Sequence, residues 1–372
     1  MKSVSRQRRV LRYAGIAAIA AIVVLAGSSP GVHAGDEPSL NLPLDCVPEK
    51  TCWISKFVDL DPGPGVRDYT CHERTTDGHT GIDFAIRDLR AMKEGVAVVA
   101  AAPGKVVMAH DGVQDISARD LGPSMMSAGQ CGNGVTISHG NGWTTEYCHM
   151  REGSIAVKVG DSVETGQKLG LVGMSGSAEY PHTHFMVQHL ATIIDPFVGI
   201  QGRPNGECGL GKAPLWNKAT LAALAPTPAE IFNYGFAAAE PKRSDVPLRE
   251  AGINFNEADV DKGLYRGTEI PASATVLVFW AEIFGIEKGD VLHMLVTAPG
   301  GQTVVKLDAA VPSRHLRQFQ YLAAKRPSSG WPEGVYHGEI SLTRTENGSS
   351  QSTAVSVDAH ISSAVPAAPS KK

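Results

Sequence analysis

Short β-like runs separated by glycine and proline turns make up most of the chain. In the first half, Val96–Ala101, Lys105–Ala109, Val135–Ser138 and Leu169–Val172 read as strands. Gly134–Ser138 and Trp143–Tyr147 flank His139-Gly140-Asn141-Gly142 and predict a hairpin. From about residue 250 the pattern resumes with Thr275–Trp280, Val291–Thr297, Val304–Leu307, Gly338–Thr343 and Ser352–Asp358, a spacing that predicts a small β-sandwich. Between the two zones, residues 209–248 are richer in Ala and Pro and read as a linker with one short helix. Residues 363–372 read as a flexible tail, and there is no tandem repeat.

The N-terminus is patterned differently. Lys2, Arg6, Arg8, Arg9 and Arg12 precede an apolar stretch, Ala14 to Ala26, and then a small-x-small site at Val32-His33-Ala34. This is the layout of a secretory signal peptide, residues 1–34, cleaved after Ala34. The apolar stretch is short for a membrane span, and no other stretch could cross a bilayer. The expectation is therefore a periplasmic or secreted protein.

Composition sharpens this picture. At 372 residues the chain has room for two domains, since about 150 residues per domain is typical. With 42% apolar and 19% charged residues it is globular rather than disordered, and 40 glycines favour β architecture. The net charge is −4, and cleavage after Ala34 removes five basic residues and no acids, taking it to −9. No polybasic run lies outside the leader, which argues against a nucleic-acid partner. All six cysteines follow Ala34 and none forms a CxxC pair, so disulfides are expected rather than thiolate metal sites. Cys131 and Cys148 sit near the open end of the predicted hairpin; a bridge there closes a loop of about 15 residues, worth roughly 3 kcal/mol.

The chemistry concentrates in three segments. In Gly78-His79-Thr80-Gly81-Ile82-Asp83-Phe84-Ala85-Ile86, a strand reading turns Ile82, Phe84 and Ile86 to one side and His79, Gly81, Asp83 and Ala85 to the other. In Pro181-His182-Thr183-His184-Phe185-Met186-Val187, His182, His184 and Met186 share a face opposite Thr183, Phe185 and Val187. His149 closes a third strand with the parity of Trp143, Thr145 and Tyr147. Two histidines and a carboxylate around an open position suit a catalytic zinc, whose fourth ligand is a polarised water. A further histidine near that water can act as general base or steady an oxyanion. A non-haem iron triad uses the same residue types, although export favours zinc.

In the order His79-Thr-Gly-Ile-Asp83, Thr145-Glu-Tyr-Cys-His149-Met and His182-Thr-His184-Phe, these segments resemble the M23 family of zinc metallopeptidases, the lysostaphin-like endopeptidases. The resemblance covers roughly residues 70 to 200, and Cys131-Gly-Asn-Gly-Val and Asp195-Pro196-Phe197 look like secreted proteobacterial members. It implies that His79, Asp83 and His184 hold one zinc ion, and that His149 and His182 are the catalytic pair. It also implies a compact antiparallel β-sheet with a groove on one face, and peptidoglycan stem peptides or cross-links as substrate. Both motifs are complete, which sets the chain apart from degenerate relatives that serve as activators of other hydrolases.

The expected organisation is a leader (1–34), an N-terminal extension (35–70) that could partly shield the groove, and a metallopeptidase domain (71–208). A linker (209–248), a C-terminal β-sandwich (249–362) and the tail follow. The fold class is thus mainly β, and the function an exported zinc endopeptidase of the cell wall. The alternatives are a catalytically silent scaffold that binds wall peptides and activates another hydrolase, or a protease of glycine-rich secreted proteins. The C-terminal domain is a candidate surface for a regulatory protein partner.

Weaker signals have simpler explanations. Gly160 to Gly170 resembles the turn of biotinyl carriers, but Lys168 lies in a strand-like run rather than at a hairpin tip. His72, His110 and His139 read as loop residues, His189 as packed, and Asp77 and Asp111 as turn residues. Met125-Met126 reads as part of a mobile loop, and Phe279, Trp280, Trp331 and Tyr336 as sandwich core.

Overall fold

The computed structural model describes residues 37–120, 130–202, 207–243 and 251–364. The expected leader, Met125-Met126 and residues 365–372 lie outside the described residues. The first half comprises β1 (Cys52–Lys56), β2 (Ile82–Ile86), helix α1 (Leu89–Glu94), β3 (Ala97–Val99), β4 (Gly104–His110), β5 (Asn133–Gly140) and β6 (Trp143–Met150). It continues with β7 (Ser162–Val163), β8 (Lys168–Leu171), β9 (His182–His189) and β10 (Thr192–Ile193). An antiparallel sheet runs β1-β2-β9-β6-β5-β4-β7, with β10 paired to β9, and β3 pairs separately with β8.

The predicted hairpin is β5–β6. Its two-residue turn, Asn141-Gly142, has φ of 50° and 82°, the paired left-handed conformation that matches strand twist. Ile82, Phe84 and Ile86 of β2 and Phe185 and Val187 of β9 enter one core, as their alternation predicts. Phe185 stacks on Trp216 at 5.6 Å, and Phe84 meets the same indole edge-on at 6.2 Å. Three disulfides join Cys46 to Cys52, Cys71 to Cys208 and Cys131 to Cys148, the last as expected from the hairpin.

The second half comprises α2 (Lys218–Ala223), β11 (Glu230–Ala239), α3 (Glu257–Asp261), β12 (Glu269–Pro271), β13 (Val276–Ile286) and β14 (Val291–Thr297). β15 (Thr303–Ala310), β16 (His315–Lys325), β17 (Gly334–Glu346) and β18 (Ser349–Ser362) complete it. The sheets β11-β13-β16 and β12-β18-β17-β14-β15 enclose a core that includes Phe236, Phe279, Met294, Tyr336 and Ile340. Trp280 packs on the other face of β13, beside Phe255. Phe279, Trp280, Trp331 and Tyr336 are all buried, in keeping with a core role. Among the described residues no helix is long and apolar enough to cross a membrane.

The stretch read as a linker is more structured than its composition suggests. Residues 230–239 are β11, fully integrated beside β13, and the expected short helix is α2. Alanine and glycine carry little strand signal, and β11 gains its stability from packing on a long partner instead. Residues 52–56, within the expected extension, are β1 and pair with β2.

Strands β1 and β2 also carry the contact between the two halves. Phe232 and Phe284 stack at 3.9 Å, and with Trp53 and Ala85 they form a small apolar cluster of their own. Arg74 reaches Glu230 at 3.3 Å and donates to the Thr227 carbonyl at 2.7 Å, and Arg266 Nε donates to Asp88 at 2.8 Å.

His139 is buried rather than a loose loop residue. Its Nδ1–H donates to the Pro103 carbonyl at 2.8 Å, and its Nε2 lies 2.8 Å from the Thr145 hydroxyl, itself 3.1 Å from the Tyr147 hydroxyl. Burial pushes its pKa below the ordinary value, only partly offset by the Pro103 bond. The unfolded chain therefore takes up this proton first, and the neutral ring's contribution is full above about pH 6.5 and lost as pH falls through the folded value. Urea unfolding at about pH 7.5 and pH 5.5 is expected to show a larger acid loss of stability in the wild type than in His139→Gln. An equal loss in both would remove His139 as its source.

Candidate metal centre and its groove

The pairing of β2 with β9 places Asp83 opposite His184 and Ala85 opposite His182. His79 precedes β2 rather than lying on it; its backbone N–H bonds the Thr76 carbonyl at 3.0 Å after the left-handed Gly78. The loop brings its Nε2 to 3.1 Å from Asp83 Oδ1, and His184 Nδ1 approaches the same oxygen at 2.9 Å. Gly81 is required here, since a Cβ would stand 2.6 Å from the Phe185 carbonyl and 2.7 Å from the His184 ring. The room it leaves is filled by His184.

The partner on the far side of the His79 ring sets its orientation: Nδ1–H donates to the Phe57 carbonyl at 2.7 Å, which turns Nε2 toward Asp83. His184 Nε2 lies 3.3 Å from the Thr80 hydroxyl, a group that can donate or accept, and its Nδ1 faces Asp83. Two imidazole nitrogens and a carboxylate oxygen thus converge, with all three ligand atoms within 4.8 Å of one another. Burial disfavours a charged His79, but the Asp83 carboxylate overcomes it and raises the pKa. Burial likewise opposes ionisation of Asp83, yet His79 and His182 hold its carboxyl well below the usual range. The cluster attracts positive charge, and the donor set fits a divalent metal such as zinc.

Asp83 Oδ2 faces the other way, 3.3 Å from Lys56 Nζ and 3.6 Å from His182 Nε2. Lys56 was not singled out in the sequence. It reaches the groove because β1 carries a bulge between Ile54 and Lys56, so that Trp53 pairs with Ala85 while Lys56 pairs with Asp83. Nothing in the pattern of residues 52–56 announces that extra residue.

His149 departs from its parity. Trp143, Thr145 and Tyr147 point into the buried side of β6, and simple alternation would send His149 there too. Instead its φ is 60°, a left-handed backbone that swings the ring to the groove, 4.6 Å centroid to centroid from His182. The backbone is held on both sides, by His149 N–H to the Cys131 carbonyl at 2.8 Å and Gly173 N–H to the His149 carbonyl at 3.1 Å. His149 Nδ1–H donates to the Ser175 carbonyl and His182 Nδ1–H to the Tyr180 carbonyl, each at 2.8 Å. Burial pushes both rings down, His149 well below its ordinary pKa and His182 below it with Asp83 opposing.

All five residues singled out therefore border one groove of ≈ 360 Å³, which Lys56, Asp77, Glu146 and Met186 also line. Of the other histidines, His72 bonds Glu346 at 2.8 Å and His189 lies 4.5 Å from the Trp143 ring, both away from this groove. Asp111 accepts from the backbone N–H of Gly112 and Gly153, which accounts for it as a turn residue.

The segment that builds this groove is similar to known proteins. Residues 77–196 match the model of peptidase family M23. That segment is about a third of the chain and contains all five of these residues. The chain is 30% identical over 118 residues to an uncharacterised metalloprotease of Buchnera aphidicola subsp. Baizongia pistaciae, covering 32% of this chain and 25% of that protein. It is 34% identical over 107 residues to the peptidoglycan DD-endopeptidase ShyA of Vibrio cholerae, covering 29% and 19%. Among solved structures, the catalytic domain of the antimicrobial peptidase lysostaphin from Staphylococcus simulans is 25% identical over 38% of this chain and 85% of that one, with a TM-score of 0.25. The chain thus spans a quarter or less of the curated relatives it matches.

The dependence of this site on close packing at Gly81 is testable. Gly81→Ala is expected to displace the His184 ring and abolish metal uptake, measured by equilibrium dialysis against zinc. Wild-type stoichiometry in that variant would show that the ring tolerates a methyl group beside it.

Proposed function

We propose that the protein is an exported zinc metalloendopeptidase that hydrolyses peptide cross-links of peptidoglycan. The observation that carries this reading is the convergence of His79 Nε2, Asp83 Oδ1 and His184 Nδ1 beside two further histidines on an open groove. Those three residues would hold the zinc, which when bound supplies Lewis acidity toward water and the scissile carbonyl.

The chain's own groups do the rest. His149, fixed by Ser175 and neutral through burial, presents a lone-pair Nε2 and takes the proton from the attacking water. His182 has the Asp83 carboxylate beside it to steady a proton, and it supports the oxyanion that forms at the substrate carbonyl. Lys56 places a cation on the groove floor, which suits a substrate with carboxylates of its own, as stem peptides have. This local charge matters because the cleaved chain, at −9, gains nothing from long-range attraction to an anionic wall. Export and cleavage after Ala34 would bring it to that substrate in the periplasm or outside the cell.

The test uses zinc-loaded protein, residues 35–372, on purified sacculi, with released fragments identified by mass spectrometry. New peptide termini at a cross-link are expected, and none with His184→Ala, which should lose metal and activity together. His149→Ala should keep the metal and lose about 10²–10⁴-fold in kcat. Loss of metal in His149→Ala would overturn the division of roles. Intact sacculi with metal-loaded wild type would favour a silent scaffold instead.

A further inference from the structure

The C-terminal sandwich reaches the backbone that orients His182. Tyr180 lies in the bend just before β9 and packs against the cluster of Trp53, Ala85, Phe232 and Phe284, where the second half of the molecule meets the first. The Tyr180 ring lies 5.1 Å from the His182 ring and 5.4 Å from Phe284 of β13. Its carbonyl is the acceptor of the His182 Nδ1–H.

Arg317 of β16 also packs on this ring. Its guanidinium carbon is 5.3 Å from the Tyr180 ring centre and 5.7 Å from that of Phe232. The side chain is only 8% exposed. Its Nη2 bonds both Asp261 and the fully buried Glu282, whose other oxygen accepts from Asn233 at 2.8 Å. Its Nε and Nη1 are buried with no hydrogen-bond partner among the described residues. Burying a cation with unmet donors is costly, and the two aromatic faces recover part of that cost. A sandwich needing only stability would be served as well by apolar side chains in place of the whole Arg317–Asp261–Glu282 cluster.

We propose that Arg317 is a positioning residue for His182: by clamping the Tyr180 ring it fixes the carbonyl that receives the His182 Nδ1–H, and so aims Nε2 into the groove. The sandwich is then a working part of the catalytic site. This inference rests on the peptidase reading for its kinetic consequence, while its geometric content stands apart from activity.

The experiment is a double-mutant cycle on the zinc-loaded full chain, with Arg317→Met made in wild type and in His182→Ala. In wild type, kcat is expected to fall about tenfold with KM and zinc content unchanged, because a transition-state contact is lost rather than substrate binding. In the His182→Ala background the same change should cost less than about twofold, since the two act as a unit. Arg317→Lys, which retains the cation over the rings, should recover part of the loss. Because Arg317→Met leaves Glu282 buried without its partner and could fail to fold, Tyr180→Leu is run in parallel. It keeps the Arg317–Glu282 pair and is expected to give the same kcat loss and the same non-additivity, with Tyr180→Phe restoring activity.

Imidazole NMR of the His182 Nδ1–H supplies the readout independent of catalysis. The signal should exchange faster with water in Arg317→Met and Tyr180→Leu than in wild type. Equal kcat losses in both backgrounds, or an unchanged Nδ1–H signal in folded variants, would overturn the proposal. Absence of hydrolysis by wild type with the expected NMR change would sink the peptidase reading and leave the positioning intact.

Discussion

Strand β9 pairs with β2 in one register, and that register places Asp83, His182 and His184 in the groove. It sets the His184 ring against Asp83 and Gly81, and His182 opposite Ala85 at the edge of the second sheet's cover. Because strand side chains alternate, a slip of one residue would turn both histidines into the core and Thr183 and Phe185 out to solvent. The buried face, with Phe84, Phe185 and Trp216 in contact, makes such a slip costly. The packing of one side of the sheet is what guarantees the chemistry of the other.

Local departures from regularity complete what the register begins. The β1 bulge turns Lys56 toward Asp83, and the left-handed backbone at His149 turns that ring away from the core. Neither would persist alone. His149 is over-determined by the Cys131 carbonyl, the Gly173 amide and the Ser175 carbonyl, while Asn133 and Ser175 both bond the Met150 carbonyl next to it. Strain of about 1–3 kcal/mol at a functional position is sustained by such surroundings.

The motifs around His79, Asp83, His182 and His184 were legible because three of the four sit on strands whose apolar alternation is clean and His79 lies at a fixed spacing from Asp83. The same logic gave His149 the wrong direction, since parity counts residues and cannot see a single positive φ. Lys56 carried no signal at all, because a bulge is a property of the pair of strands rather than of either sequence. In the sandwich, β13 and β14 announced themselves through β-branched and aromatic runs. β11, rich in alanine, and β16, half-buried on both faces, did not, and both owe their strand character to β13 between them.

The cluster of Trp53, Ala85, Phe232 and Phe284 has a directional consequence. Followed along β2 and β9, the open face carries Asp83 and His184, then His182, and then disappears under the second sheet. Beyond Ala85 and His182 the strand face is thus roofed by Phe232 and Phe284, so the open part of the groove is bounded along the strand axis at that end.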